Sequence, residues 1–370
     1  MKVLVTGADG FVAKNLIVRL GESGNFEVVK FSRQNSESEL PALVADIDAV
    51  VHLAGVQRPP SPEEFTAGNA GLTEKLCTAL TGSGRRVPVI FSSSIQAALD
   101  NPYGNSKHEA ENLLWRYAAQ TGAPVYVYRL PNVFGKWCKP DYNSAVATFC
   151  HNIARGLPVK VNAANAALTL VYVDDVVDEF IRVLKDAPLA GARELCSVPV
   201  EYQTTVGELM RQIESFRESR VTLVSERVGN GLVRALYSTY MSYLPPGSFA
   251  YEVPTYGDPR GVFVEMLKTR DSGQFSFFTT HPGVTRGGHY HHSKTEKFLV
   301  IKGKARFGFR HILTDETSEL CVSGEQPQIV ETIPGWAHNI TNIGDDEMVV
   351  MLWANEIFDL ARPDTIAYKV

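Results

Sequence analysis

The sequence predicts an α/β domain built on a Rossmann-type, doubly wound parallel sheet, followed by an all-β domain of sandwich or barrel type. Three observations predict it. Short β-branched runs alternate with stretches of helical spacing through the first half of the chain. A glycine turn follows the first of those runs directly. Beyond a Pro/Gly-rich breaker at 242–248 the alternation stops, and strand-like runs separated by Gly, Asp and Pro turns take over.

Taken in order, Lys2–Thr6, Glu27–Phe31, Ala49–Leu53, Val89–Ser92 and Val125–Arg129 read as buried strands, with helical spacing at Val12–Leu20 and Thr73–Leu80. The polar stretch Gln34–Glu39 leaves little room before the next strand, so that crossover is expected to be short. The breaker Ser242-Tyr243-Leu244-Pro245-Pro246-Gly247-Ser248 places a boundary near residue 246, giving domains 1–246 and 247–370. After it, Gln274–Thr280, Lys297–Ile301, Ala305–Ile312, Gln328–Ile333 and Met348–Trp353 read as strands. A chain of 370 residues exceeds what one core usually serves, which agrees with two domains.

The bulk numbers exclude several classes. Hydrophobic content of 44% and charged content of 21% are those of an ordinary soluble globular protein. A net charge of -5 argues against a dedicated nucleic-acid binder. No apolar run approaches the ~20 residues that span a bilayer, and the amino terminus lacks the apolar core of a signal peptide. Cys77, Cys138, Cys150, Cys196 and Cys321 are scattered and never in CxxC spacing. They read as reduced thiols of a cytoplasmic protein.

Thr6-Gly7-Ala8-Asp9-Gly10-Phe11-Val12-Ala13 follows the first strand and opens the first helix. Gly7 permits the tight turn, Gly10 lets backbone approach a pyrophosphate, and the helix start at Phe11 and Val12 offers free N–H groups. Ala13 stands where a third glycine is common and is small enough for helix–strand packing. The second strand ends Lys30-Phe31-Ser32-Arg33, without the carboxylate that holds an NAD ribose. Arg33 instead could grip a 2′-phosphate, with Ser32 beside it in the cofactor site, so NADPH is the expected cofactor.

Asn101-Pro102-Tyr103-Gly104-Asn105-Ser106-Lys107 starts a helix, with Asn101 as N-cap and Pro102 in the first turn. Tyr103 and Lys107 are four apart and share a face. The ammonium is expected to lower the tyrosine pKa, and the pair can move a proton to or from a carbonyl or alcohol oxygen. Ser94, at the end of Phe91-Ser92-Ser93-Ser94, could hydrogen-bond the same oxygen.

Together these residues resemble the extended short-chain dehydrogenase/reductase family over about residues 1–240. His52-Leu53-Ala54-Gly55 resembles its motif beside the cofactor. Arg129-Leu130-Pro131-Asn132-Val133-Phe134-Gly135 resembles the stretch lining cofactor and sugar. Val171-Tyr172-Val173-Asp174-Asp175-Val176 resembles a late structural motif. The resemblance implies nucleotide-sugar chemistry, with Ser94, Tyr103 and Lys107 as catalytic trio. It also adds Leu53, Ala54, Gly55, Asn132, Tyr103 and Lys107 to the cofactor contacts. One departure is that only eight residues separate Ser94 from Tyr103. That leaves Ser92 and Ser93 as alternatives to Ser94.

In the second domain His289-Tyr290-His291, Glu296 and His338 form a ligand pattern. His289 and His291 share a face if they lie on one strand. Glu296 is expected to begin the partner strand, and His338 to arrive from a second hairpin. His292, one position out of phase, should point away. Three imidazoles and a carboxylate suit one divalent ion, Zn²⁺ first, with Fe, Mn, Ni or Cu as alternatives. The stretches around these residues resemble both cupin motifs.

The fusion of the two, with Phe134-Gly135-Lys136-Trp137-Cys138-Lys139-Pro140, Tyr237-Ser238-Thr239-Tyr240 and Glu296-Lys297-Phe298-Leu299-Val300, resembles the bifunctional CapF/WbjC family of capsular polysaccharide and O-antigen enzymes. That resemblance implies the route to UDP-N-acetyl-L-fucosamine. The cupin would epimerise C3 of a UDP-2-acetamido-2,6-dideoxy-4-hexulose. The reductase domain would then reduce C4 with NADPH to UDP-N-acetyl-6-deoxy-L-talosamine. Tyr290, His292, Lys294 and Lys297 stay open as the C3 base, and the metal as catalytic or structural. A homodimer is implied by the cupin likeness, and neither nucleic acid nor membrane is an expected partner. The other open reading is an NADP-dependent sugar epimerase with a non-catalytic, sugar-binding or dimerising cupin.

Overall fold

The computed structural model describes residues 1–186, 193–258, 261–264, 267–269, 273–356 and 361–370. The chain divides into two compact units, Met1–Val133 with Thr169–Gln203, and Phe134–Leu168 with Thr204–Val370.

The first unit carries the expected parallel sheet. Its strands are β1 (Lys2–Thr6), β2 (Glu27–Phe31), β3 (Ala49–His52), β4 (Val89–Ser94), β5 (Val125–Leu130) and β6 (Arg193–Cys196). They lie in the order β2-β1-β3-β4-β5-β6, every pair parallel. β6 was not legible from the sequence, because Arg-Glu-Leu-Cys has no β-branched run. The β2–β3 crossover is short, as expected. It holds only a 3₁₀ turn at Glu37–Glu39 and one helical turn at Leu40–Leu43. β3 therefore returns to the far side of β1, and the strand order reverses between β1 and β3. Ligands of open α/β sheets bind at the carboxyl ends of strands flanking such a reversal. Val3, Leu4 and Val5 of β1 are fully buried, which is why these runs carry no alternation.

Helix α1 (Phe11–Glu22) follows β1, and α2 (Pro102–Thr121) follows β4. The Asn101 side chain caps α2 by accepting from Gly104 N at 2.8 Å, and Gly122 closes it at φ +71°.

Among its described residues the second unit contains three α-helices, Ala145–Ala154, Val206–Thr222 and Gly231–Ser242, and two five-stranded antiparallel sheets. Its strands here are β7 (Ala250–Glu252), β8 (Gln274–Thr280), β9 (Thr285–Tyr290), β10 (Glu296–Lys302), β11 (Lys304–His311), β12 (Thr317–Ser323), β13 (Gln328–Glu331), β14 (Trp336–Asn342), β15 (Met348–Ala354) and β16 (Ile366–Ala367). One sheet runs β7-β13-β10-β15-β8 and the other β12-β11-β14-β9-β16. Aromatic contacts join them across the interior. Phe298 of β10 meets Phe307 of β11 edge-on at 5.6 Å between centroids.

Candidate active site and metal centre

In the first unit the reversal point is lined by the predicted glycine turn. Gly7 sits at φ +67°, and a Cβ there would lie 2.7 Å from Ala54 N and Cα. Only glycine lets the turn pass against Leu53–Gly55. Gly10 N donates to Gly7 O at 2.7 Å, and Gly10 is the N-cap of α1 with no side-chain cap. The first turn at Phe11 and Val12 therefore presents uncapped N–H groups and the positive dipole end, an anion site.

A buried network fixes the opposite wall. The Thr73 hydroxyl donates to Asn69 O at 2.7 Å, so it must accept from His52 Nε2, 2.9 Å away. His52 Nδ1 then accepts the Thr6 hydroxyl proton at 2.6 Å. Thr6 Oγ1 in turn accepts from Leu53 N and Ala54 N at 3.1 and 3.2 Å. Burial, with help from the Lys107 charge, drives the His52 pKa down to about 3, so the ring stays neutral. Thr6 and Thr73 escaped sequence reading because their partners are far away in the chain.

Ser32 follows β2, its N–H held by Asn35 Oδ1 at 3.0 Å. Arg33 next to it is exposed, on the side an adenosine ribose would occupy in such a site. Asn132 is exposed at the end of β5 and donates to Thr169 O at 3.1 Å.

Ser94 and Tyr103 come together. The Ser94 side chain is near enough to the phenol to pull its pKa down, and Ser94 Oγ accepts from Gln96 N at 3.2 Å. Of the alternatives, Ser93 is turned to Glu111, and Ser92 offers its carbonyl to Lys107 Nζ at 2.7 Å. The tyrosine pKa departs from expectation. Burial raises it above the ordinary value, and only the Ser94 side chain works the other way. The reason is that the buried ammonium is directed to Ser92 O and over the Phe91 ring, 4.3 Å from its centroid. Burial itself takes Lys107 down to about 8, against the pull of Glu111. Tyr103 is therefore a protonated phenol at neutral pH, poised as an acid.

Asn69 was also missed. It is buried in a π-helical turn, Thr66–Gly71, a form frequent at functional sites. Its Oδ1 accepts from Val56 N at 2.7 Å, and its Nδ2 donates to Ser106 Oγ at 2.9 Å. Ser106 then donates to Tyr103 O at 2.8 Å, tying the Leu53–Val56 loop to the Tyr103 turn.

In the second unit His289, His291, Glu296 and His338 converge, with one ligand atom from each lying within 4.8 Å of all the others. The topology differs from expectation. His289 on β9 pairs directly with His338 on β14, while Glu296 opens β10 in the other sheet. Gly287 and Gly288, at φ +92° and +76°, make a bulge that shifts the register before His289. His291 lies just past β9. Its Nδ1 faces Asp364 O, which leaves Nε2 3.1 Å from Glu296 Oε2. Asp364 was not anticipated. Its carboxylate accepts from the backbone N–H groups of His292, Ser293 and Lys294 at 2.7–2.8 Å, clamping the ligand loop.

The electrostatics fit a cation. Burial, then His338 and His291, hold the His289 pKa down to about 3, and burial also lowers His338. Burial opposes charge on Glu296, yet the imidazoles hold its carboxyl well below the usual range. His338 Nε2 is buried without a hydrogen-bond partner, although Glu296 Oε2 lies 3.3 Å away. Neutral imidazoles, an anionic carboxylate and an orphaned ring nitrogen aimed at the centre suit a divalent ion of the Zn²⁺ kind.

The four candidate bases separate. Lys297 is turned to Glu331 and to the Tyr251 hydroxyl, 2.9 Å away, on the opposite face of β10 from Glu296. Tyr290 packs on Tyr368 and on His292, with centroids 5.8 and 5.5 Å apart. Of the four, Lys294 stands beside the cluster, its Nζ 3.7 Å from Glu296 Oε1.

A model of the NAD dependent epimerase/dehydratase family matches residues 3–193, more than half of the chain. The chain belongs to that family. This epimerase/dehydratase-family chain also matches a polysaccharide biosynthesis C-terminal domain over residues 256–366. It is 60% identical over 370 residues to a UDP-2-acetamido-2,6-beta-L-arabino-hexul-4-ose reductase of Pseudomonas aeruginosa, covering 100% of this chain and 99% of the relative. Among solved structures it resembles the capsular polysaccharide assembling protein CapF from Staphylococcus aureus (TM-score 0.69, 44% identity, 100% of both chains). UDP-glucuronic acid 4-epimerase from Bacillus cereus, in complex with NAD, matches 58% of this chain and 83% of its own at TM-score 0.52 and 20% identity. That last likeness shows the fold alone. The first unit is thus an NAD(P)-type Rossmann fold by family as well as by geometry.

Proposed function

We propose that this chain is a bifunctional nucleotide-sugar enzyme on the route to UDP-N-acetyl-L-fucosamine, with its two activities divided near residue 246. The full-length identity to a UDP-4-keto-sugar reductase carries this reading. Residues 1–246 reduce the C4 ketone of the UDP-2-acetamido-2,6-dideoxy-4-hexulose to UDP-N-acetyl-6-deoxy-L-talosamine. Residues 247–370 form a cupin that epimerises C3 of the same sugar beforehand.

In the reductase, Gly7, Gly10, Phe11 and Val12 hold the pyrophosphate, and Leu53, Ala54, Gly55 and Asn132 line the cofactor. Ser32 and Arg33 take a 2′-phosphate, which selects NADPH. When bound, NADPH supplies the hydride for C4. Tyr103 gives its proton to O4, a task suited to a phenol whose pKa burial keeps high. Ser94 hydrogen-bonds the same oxygen, and Lys107 holds the nicotinamide ribose and supplies positive charge beside the phenol.

In the cupin, a 4-ketone acidifies the C3 proton, so removal and return on the other face inverts C3. His289, His291, Glu296 and His338 would hold a divalent ion, Zn²⁺ first, whose Lewis acidity stabilises negative charge on the ketone oxygen. Lys294, whose Nζ lies 3.7 Å from Glu296 Oε1, is the candidate base for the C3 proton. A homodimer and a cytoplasmic location complete the proposal. No helix among the described residues is long and apolar enough to cross a membrane, and the five cysteines form no disulfide.

The test is NMR of the 4-keto-sugar in D₂O with and without NADPH. Deuterium is expected at C3 without NADPH, and added NADPH should be consumed one for one with C4 reduction. With NADPH present, epimerised sugar accompanied by neither C4 reduction nor net NADPH consumption would overturn the reading in favour of an NADP-retaining epimerase.

A further inference from the structure

Glu111 lies one helical turn beyond Lys107 on α2 and is almost wholly buried. Its carboxylate is gripped by Arg129 of β5 through two bonds, Nε to Oε1 at 3.0 Å and Nη2 to Oε2 at 2.7 Å. The Ser93 hydroxyl donates to the same Oε1. His108 Nδ1 stands 3.8 Å from Oε2, at the exposed end of the group. None of these contacts belongs to the proposed cofactor site or substrate chemistry, yet they sit directly under the catalytic pair.

Lys107 is 5% exposed, and its Nζ is spent on Ser92 O and the Phe91 ring. The groups around it can be named. From its own helix come Tyr103 and Glu111, from β3 the neutral His52, and from β5, through Glu111, the guanidinium of Arg129. Asn69 faces the same corner from its π-helical turn, uncharged. The balance is two cations and one carboxylate, Lys107 and Glu111 buried and Arg129 partly exposed. Arg129 cannot shed its proton. Without the carboxylate, the buried Lys107 would hold its charge near a permanent cation with nothing to offset its burial, and Lys107 is the one that can neutralise.

We propose that Glu111, clamped by Arg129 and Ser93, is a positioning residue that keeps the buried Lys107 ammonium charged for the reductase step. The proposal rests on the reductase reading of Tyr103 and Lys107 given above. Burial pulls Lys107 down and Glu111 pushes it up, so its charge stands close to the range where enzymes work. The charged form lies below the pKa. Losing Glu111 therefore moves the loss of charge, and of reductase activity, to lower pH.

The experiment is an NMR titration of the ¹³Cε-labelled lysines in the full chain, with the pH profile of kcat/KM for ketone reduction beside it. In the unsubstituted protein one lysine, absent in Lys107→Met, should titrate well below the ~10.4 of a free lysine. An ordinary Lys107 midpoint would overturn the proposal without any variant having to fold. In Glu111→Gln the midpoint and the alkaline kinetic limb should both fall by about one unit or more, a tenfold change in the proton equilibrium. Glu111→Asp should restore most of the shift. A merely structural tie would lower the rate at all pH values without moving the limb, and that result overturns the proposal. A moved NMR midpoint with an unmoved limb would instead overturn the reductase role of Lys107.

Discussion

Ser94 reaches the Tyr103 side chain, acting on its phenol, across a connection of only eight residues. The connection closes because Ile95–Ala98 coils into a 3₁₀ turn that Ser94 itself caps. It then folds onto the first turn of α2 at Gly104, where a side chain would collide with the Gln96 and Leu99 carbonyls. A shorter loop therefore still delivers the serine to the tyrosine.

Tyr103→Phe removes the proton donor and keeps the ring that packs on Phe65 at 5.7 Å. NADPH-linked ketone reduction should fall by about 10²–10⁴-fold, the usual worth of a positioned acid. C3 exchange should continue. Undiminished NADPH turnover would remove Tyr103 from the mechanism.

Gly104→Ala tests the loop. A Cβ there would lie 2.2 Å from Gln96 O and 2.6 Å from Leu99 O, both backbone atoms that cannot swing aside. Relieving that overlap costs about 1–3 kcal/mol and shifts the segment that places Ser94. A lower thermal midpoint and slower reduction are expected, with C3 exchange retained. Unchanged reduction would show that the Ser94 placement does not depend on this contact.

Arg33→Ala tests cofactor choice. The loss of a charge-assisted contact is worth roughly 1.5–3 kcal/mol, so NADPH affinity should drop by about tenfold or more while NADH affinity changes little. Equal losses for both cofactors, measured by fluorescence titration, would mean that Arg33 does not touch a 2′-phosphate.

His52 gives a pH dependence. Its folded pKa, about 3, lies below the ordinary 6.5 of the unfolded chain. Between those values the unfolded chain binds a proton that the folded protein refuses, so stability falls as pH drops from 6.5. One such group contributes a slope of up to ~1.4 kcal/mol per pH unit. Thermal midpoints of the metal-loaded protein should fall between pH 7.5 and 5, and His52→Asn should flatten that fall. An equal slope in the variant would place the acid sensitivity elsewhere.

What was legible in the sequence was local. The turn at Gly7–Gly10, the Tyr103–Lys107 spacing and the histidine pair follow from periods of a few residues; the structure forms the turn and converges the histidines, while the Lys107 ammonium is turned to Ser92 O. What was not legible depends on partners far apart in the chain. His291 meets Asp364, 73 positions away, and Asn69 meets Ser106, 37 positions away. The strand placement of Glu296 was misjudged because two short strands of unlike sheets can look like one hairpin until their register is known. The direction of the Tyr103 shift was misjudged because burial outweighs a nearby ammonium that is turned to a carbonyl. No spacing rule reports burial.

The division of labour between the two halves is tested most directly by His289→Ala. The variant removes one of the four converging ligands, and metal sites couple to folding, so metal content and cupin stability should both drop. The measurement is deuterium uptake at C3 by NMR, paired with NADPH oxidation on a 4-keto-sugar that already carries the product's C3 configuration. No C3 exchange, little metal by elemental analysis and preserved reduction of the pre-epimerised sugar are expected. Normal C3 exchange in metal-free protein would contradict the Lewis-acid role of the cluster, and loss of reduction even on the pre-epimerised sugar would contradict the independence of the two halves.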